Sequence, residues 1–301
     1  MQTSRATPSP PLHTIGLLAT FALLAIGFRA NTASAQVLEQ IEQQVRDSDP
    51  SAGSSNSQPN GQPSGDSHRR DSPGLPDDGC DSDLWSAFAQ FGFRVITMPY
   101  WVPADRLGDN LSTGYFLRYP YWDDLPGSMF IPEEGGRRYR QWDGEAAVEY
   151  ADNLDDLSRI GAHLRISTNS RFDFETNWNS FTEETHAGRD HLTLGDADVL
   201  FRFAQSPELQ FRSGIGANWL DDHQGAYAGF NFRYGAEWYP AKPLAIKGLI
   251  DLGEIGKAGQ VHARLTIGAL YQRWELFTGY DFRQIGDVRI CGPLAGLQFR
   301  F

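Results

Sequence analysis

Cysteine is nearly absent from this chain: two in 301 residues, Cys80 and Cys291. Two sulfurs so far apart form neither a disulfide framework nor a thiolate metal site, and two free thiols are expected. Basic charge is short as well, with 26 Lys and Arg against 38 Asp and Glu, a net −12. A surface for nucleic acid needs the opposite balance, so no nucleic-acid partner is expected. Mean hydropathy is −0.44, and apart from Ile15 to Ile26 no apolar run is long enough to suggest a spanning helix. Also missing are G-x-S-x-G, a phosphate loop, H-E-x-x-H and any Cys-based metal spacing. No cofactor and no resident metal are therefore expected.

The single apolar run follows Arg5 and His13 and precedes Ala33-Ser34-Ala35, before Gln36. A basic start, a dozen apolar residues and an A-x-A site predict a signal peptide over residues 1–35 and an exported protein. No Cys follows the cleavage site, which argues against a lipoprotein anchor. Next, Val37 to Arg46 carries Val37, Leu38, Ile41 and Val45 at helical spacing, a short amphipathic helix that cannot be stable alone. Asp47 to Asp83 is rich in Ser, Gly, Pro, Asn and Asp. With so little to bury it reads as a disordered linker, completing a unit of helix plus linker over 36–83. Residues 84–143 crowd aromatics with prolines at 99, 103, 120, 126 and 132, so they read as an irregular segment docked on or in the next domain. The competing reading adds two strands there, Phe91–Tyr100 and Thr113–Trp122.

From 144 to 301 the apolar period becomes two, the strand period. Ten candidate strands follow: 144–152, 158–167, 171–181, 192–204, 209–220, 226–239, 243–254, 260–271, 274–284 and 290–301. Alternation puts Phe232 on one face and Arg233 on the other, and ranks a polar swap at 233 as the milder change. Connections after even strands read as tight, and those after odd strands as longer or more acidic, as at Thr182–His191 and Asp221–Gly225. One face gathers aromatics toward the strand ends: Trp238, Tyr271, Trp274, Phe299 and Phe301 at one, Trp219 at the other. Two aromatic girdles around an aliphatic band mark a lipid-facing exterior. The opposite face gathers a polar network that includes Arg159, His163, Arg165, Arg212, Arg233, Glu237, Asp251 and Arg264. In a barrel this narrow such charges are expected to pair across the lumen.

The chain ends Pro293-Leu-Ala-Gly-Leu-Gln-Phe-Arg-Phe301, apolar at every second position. Gly296, Phe299 and Phe301 resemble the C-terminal assembly signal of bacterial outer-membrane β-barrels, while Leu294 departs from its usual polar residue. The resemblance implies a transmembrane β-barrel in the outer membrane of a diderm bacterium, and with the ten candidate strands the expected fold is all-β, an antiparallel up-and-down barrel of ten strands. It implies two partners, outer-membrane lipid and the barrel-assembly machinery; oligomeric state stays open.

The expected role is structural, adhesive or that of a narrow porin-like channel, without enzyme activity. A second reading is a hydrolase at the outer rim. Asp196-x-Asp198 opens the fourth strand and Asp221-x-His223 follows the fifth, and in these four residues the chain resembles the omptin family of outer-membrane proteases. That resemblance implies an Asp pair and an Asp–His pair activating water. The same rim acids, with Asp222, are oxygen ligands of the kind Ca²⁺ takes. A third reading is a secreted soluble β-domain that binds a ligand.

Overall fold

A computed structural model describes residues 36–46, 103, 107–109, 111–131, 140–154, 156–185, 188–222 and 225–301. The expected signal peptide, the linker 47–83, Cys80 and the candidate strand Phe91–Tyr100 lie outside the described residues.

One helix, α1 (Val37–Arg46), comes first. A two-strand ribbon follows, β1 (Tyr115–Phe116) and β2 (Met129–Phe130), with a 3₁₀ turn at Trp122–Asp124 between them. Ten long strands complete the chain. They are β3 (Trp142–Asp152), β4 (Leu157–Thr168), β5 (Phe172–Thr185), β6 (Gly188–Gln205), β7 (Leu209–Asp222), β8 (Gly225–Trp238), β9 (Leu244–Ile255), β10 (Ala258–Tyr271), β11 (Trp274–Ile285) and β12 (Val288–Arg300). Each pairs antiparallel with its sequence neighbours, and β12 returns to β3, giving a closed ten-strand barrel. The seam runs from Leu294↔Ala151 to Arg300↔Glu145. Closure leaves no barrel edge with unpaired backbone groups. Thr113–Trp122 adds no barrel strand: only Tyr115–Phe116 is extended, and it pairs with β2.

We call the end at Trp142 and Phe301 the lower end. Connections there are 169–171, 206–208, 239–243 and 272–273; at the upper end they are 153–156, 186–187, 223–224, 256–257 and 286–287. The expected alternation of short and long loops is therefore not found. Residues read as acidic upper loops are ladder residues, as in Glu183↔Asp190, Thr185↔Gly188 and Asp222↔Gly225. Backbone pairing continues past the apolar part of the strand, and polar side chains there mimic a loop. Gly256 and Gly286, at φ 60° and 57°, supply the left-handed backbone that two-residue hairpin turns require.

The faces are sorted inside out relative to a soluble barrel. Outward positions are apolar and open, with Ile160 and Leu276 each 66% exposed, Val148 60% and Ile215 59%. Inward positions are charged and covered, with Arg202, Arg233, Asp198 and Asp251 at 1% or less. Outward aromatics cluster at the lower end: Trp274 meets Phe299 at a tilt, 4.7 Å between ring centres, Phe172 meets Phe201 likewise at 5.4 Å, and Trp142 meets Phe301 edge-on at 6.3 Å. Tyr271 and Trp238 join them on that face, while Trp219 lies toward the upper end beside Gly195. Higher on the outward face, Ile250, Ala263 and Phe282 pack together beside Cys291. Cys291 is disulfide-bonded, so it is not the free thiol expected; Cys80 lies outside the described residues.

Candidate functional site

The lumen is built in layers by strand parity. At the upper end the inward positions are apolar: Leu157, Phe181, Leu192, Leu194, Leu220, Ile255, Ile285 and Val288 are all buried. Onto this layer α1 lays Val37, Leu38, Ile41 and Val45, each less than a tenth exposed. Burying such side chains stabilises by about 1.5–3 kcal/mol each, which supplies what a ten-residue helix lacks by itself. The carboxylate of Glu183 closes the helix start, accepting N–H bonds from Gln36 at 2.7 Å, Val37 at 2.8 Å and Leu38 at 2.9 Å. These are donors that every helix N-terminus leaves unpaired. At the other end Arg46 reaches Asp222 at 3.0 Å and Glu42 at 2.5 Å. Burial, then the charges of Asp222 and Asp190, push the Glu42 carboxyl above its usual range, against the pull of Arg46.

Below the helix lies a continuous chain of charge. Arg159 bonds Glu149 at 2.8 Å and meets Asp281 at 3.2 Å. The two ring nitrogens of His262 join Asp281 and Asp251, each at 2.8 Å. Arg233 donates to both oxygens of Asp251, at 2.6 and 2.8 Å, and meets Glu175 at 2.9 Å and Asp196 and Asp198 at 3.0 Å. One guanidinium thus ties β5, β6, β8 and β9 together. Lower still, Arg165 joins Glu145 and Glu237 at 2.5 Å each. Arg212 meets Glu237 at 3.1 Å, His163 meets Glu175 at 3.3 Å, and Arg264 pairs with Glu149. All eight residues expected in the polar network lie in the lumen and are tied into it. Between these groups a cavity of about 70 Å³, bordered by Glu145, His163, Arg165, Lys247, Arg264 and Glu275, has room for a handful of waters.

The lower end is covered by the segment around β1 and β2. Arg202, fully buried, lies over the Phe116 ring at 4.8 Å and contacts the Met129 sulfur at 3.4 Å. Arg171 grips Asp109 at 2.5 and 2.8 Å. Gln210 donates to Ser128 at 2.6 Å, and the Tyr121 hydroxyl to the Leu244 carbonyl at 2.8 Å. A backbone bond from Ser128 N–H to the Pro207 carbonyl, 2.9 Å, pins the segment to the lower connection between β6 and β7.

The water-activating set expected at the rim does not assemble among the described residues. Asp196 and Asp198 lie deep in β6, paired with Asn218 and Gly216 of β7, and both are held by Arg233. Their placement at the rim is corrected: β6 begins at Gly188, eight residues earlier, because the polar upper hairpin is strand. Asp221 is exposed on the outward parity of β7, on the opposite face from Asp196 and Asp198. His223 lies outside the described residues. No group of three or more His, Cys, Asp or Glu suited to a metal ion occurs among the described residues.

The upper apolar layer and its helix lid were not foreseen from sequence. Their signal is that Leu157, Leu192, Leu220, Ile255, Ile285 and Val288 are apolar on the parity that is charged elsewhere, always near upper strand ends.

Closed, antiparallel and ten-stranded, with apolar residues outside and ion pairs inside, the fold defines an inside-out β-barrel. No protein-family model matches the sequence, and no curated protein matches it. Among solved structures, CdiB from Acinetobacter baumannii aligns at a TM-score of 0.26 and 10% identity, over 48% of this chain and 39% of that one. The aligned region thus spans well under half of that chain.

Proposed function

We propose that the protein is a structural outer-membrane β-barrel of a diderm bacterium with a closed lumen, a membrane anchor rather than a porin-like channel. The observation that carries this reading is the inversion of polarity, with Ile160 and Leu276 bare outside while Arg202 and Arg233 are covered inside. Lipid is the solvent in which such a surface is satisfied. The aromatic cluster around Trp274, Phe299 and Phe301 sits at the level of one headgroup layer, and the barrel's lower end, with Phe301, faces the periplasm. The C-terminal Gly296, Phe299 and Phe301 support delivery by the barrel-assembly machinery.

Closure of the lumen is supported by three stacked barriers: α1 on its apolar layer, the Arg159–Asp281–His262–Asp251–Arg233 chain, and the Arg202–Phe116–Met129 cover below. Moving an ion through means parting buried ion pairs, each about 3–5 kcal/mol when one partner is left alone. Purified protein in planar lipid bilayers should therefore give no steady conductance above the bare bilayer. Stable, ohmic channels from the intact chain would overturn the closed-lumen reading and favour a narrow pore.

A further inference from the structure

Glu183 differs from the other interior carboxylates. Asp173, Glu175, Asp196, Asp198, Asp251 and Asp281 each have an arginine partner. Glu183 is 1% exposed and meets no Arg, Lys or His among the described residues; it meets the N–H groups of Gln36, Val37 and Leu38. A buried carboxylate without a full positive charge is costly, and a helix start offers only a partial one. The residues before Gln36 read Ala33-Ser34-Ala35, the small-residue pattern of an export cleavage site.

We propose that the chain is cut between Ala35 and Gln36, and that the new α-ammonium of Gln36 is the counter-ion of Glu183. Hydrolysis adds water across the peptide bond, leaving the carboxylate on Ala35 and the amine, protonated, on Gln36. The cut converts a neutral amide donor into a charged one at an existing 2.7 Å contact. Export processing therefore locks α1 into the upper mouth, and an unprocessed chain seats it weakly. The inference rests on the reading of an exported barrel for the cut, while the lock itself is testable in detergent whatever the protein's location.

Two chains separate the possibilities, one released from a removable fusion to begin at Gln36 and one beginning at Ala33, both refolded in detergent. Hydrogen exchange of the Ile41–Val45 amides should be on the order of tenfold faster in the longer chain, the difference between a charged and a neutral bond. Glu183→Gln in the shorter chain should speed exchange similarly, and combining it with the extension should add nothing. Unchanged heat-modifiable mobility certifies the barrel in each, and the extension alone suffices if Glu183→Gln misfolds. Equal protection in the two wild-type chains would overturn the lock. Intact mass of the native protein should give Gln36 as the first residue with its amine free. Another first residue, or a Gln36 cyclised with loss of ammonia, would overturn the ammonium assignment.

Discussion

Phe232 and Arg233 are adjacent in β8 and belong to different solvents. Phe232 pairs with Ile215 and Leu252 on the outward face, while Arg233 is 1% exposed and holds four carboxylates from three other strands. Arg placed at 232 should cost roughly 2–4 kcal/mol, the mid-membrane value for a barrel. Alternation alone ranks a lumen swap as milder, and the carboxylates reverse that ranking. Arg233→Gln leaves Asp196 and Asp198 without their described cation and should cost about 3–5 kcal/mol. Denaturant unfolding in lipid vesicles measures both, and a negligible loss for Arg233→Gln would refute its place as the hub.

The helix lid is predicted to be separable from the barrel. Ile41, with no exposed surface, is its central anchor, and Ile41→Ala should weaken docking by about 2–5 kcal/mol. Proteolysis or hydrogen exchange should register loss of α1, while heat-modifiable mobility stays as in wild type. Loss of the barrel together with α1 would make the helix part of the fold's foundation.

Docking of α1 should carry a pH-dependent component from Glu42. Its carboxyl titrates above the usual 4.5 when docked, because burial, Asp222 and Asp190 outweigh Arg46. A raised docked-state value means its contribution is fully present below the undocked value and is lost as pH rises through the docked one. The difference in α1 protection between wild type and Glu42→Gln should therefore grow, in favour of Gln, as pH rises from about 4 toward neutrality. A difference that shrinks over that range contradicts the assignment.

Phe301 closes the seam with its backbone: its N–H donates to the Gly144 carbonyl at 2.8 Å, and its own carbonyl accepts from Arg140 at 2.8 Å. Its partly exposed ring adds at most about 2–3 kcal/mol of burial. Deleting it should strongly lower the inserted fraction in cells while protein refolded in detergent keeps its β-content. Normal insertion would make the C-terminal resemblance accidental.

Strand number, strand centres and facing were legible in the sequence because each rests on a period of two, unbroken from Ala228 to Trp238 and broken in β6 only near its lower end, between Phe201 and Ala204. Upper strand ends were not, because Glu183, Asp190 and Asp222 are polar and yet remain in the ladder, where Glu183 caps α1 and Asp222 holds Arg46. The lid was half legible: Val37, Leu38, Ile41 and Val45 announce an amphipathic face, but what covers it depends on six strand ends far apart in sequence. The polar network was legible in membership and not in wiring, since parity says that Arg233 points inward but not that Glu175, Asp196, Asp198 and Asp251 meet there. The disulfide at Cys291 was illegible for the same reason.

Envelope fractionation with heat-modifiable mobility decides whether the barrel sits in the outer membrane. Recovery is expected only in the detergent-extracted outer-membrane fraction. The folded form should migrate differently in electrophoresis until boiled, because a closed ten-strand ladder does not open in mild detergent. Recovery in the soluble periplasm or the medium, with identical mobility before and after boiling, would contradict an outer-membrane barrel.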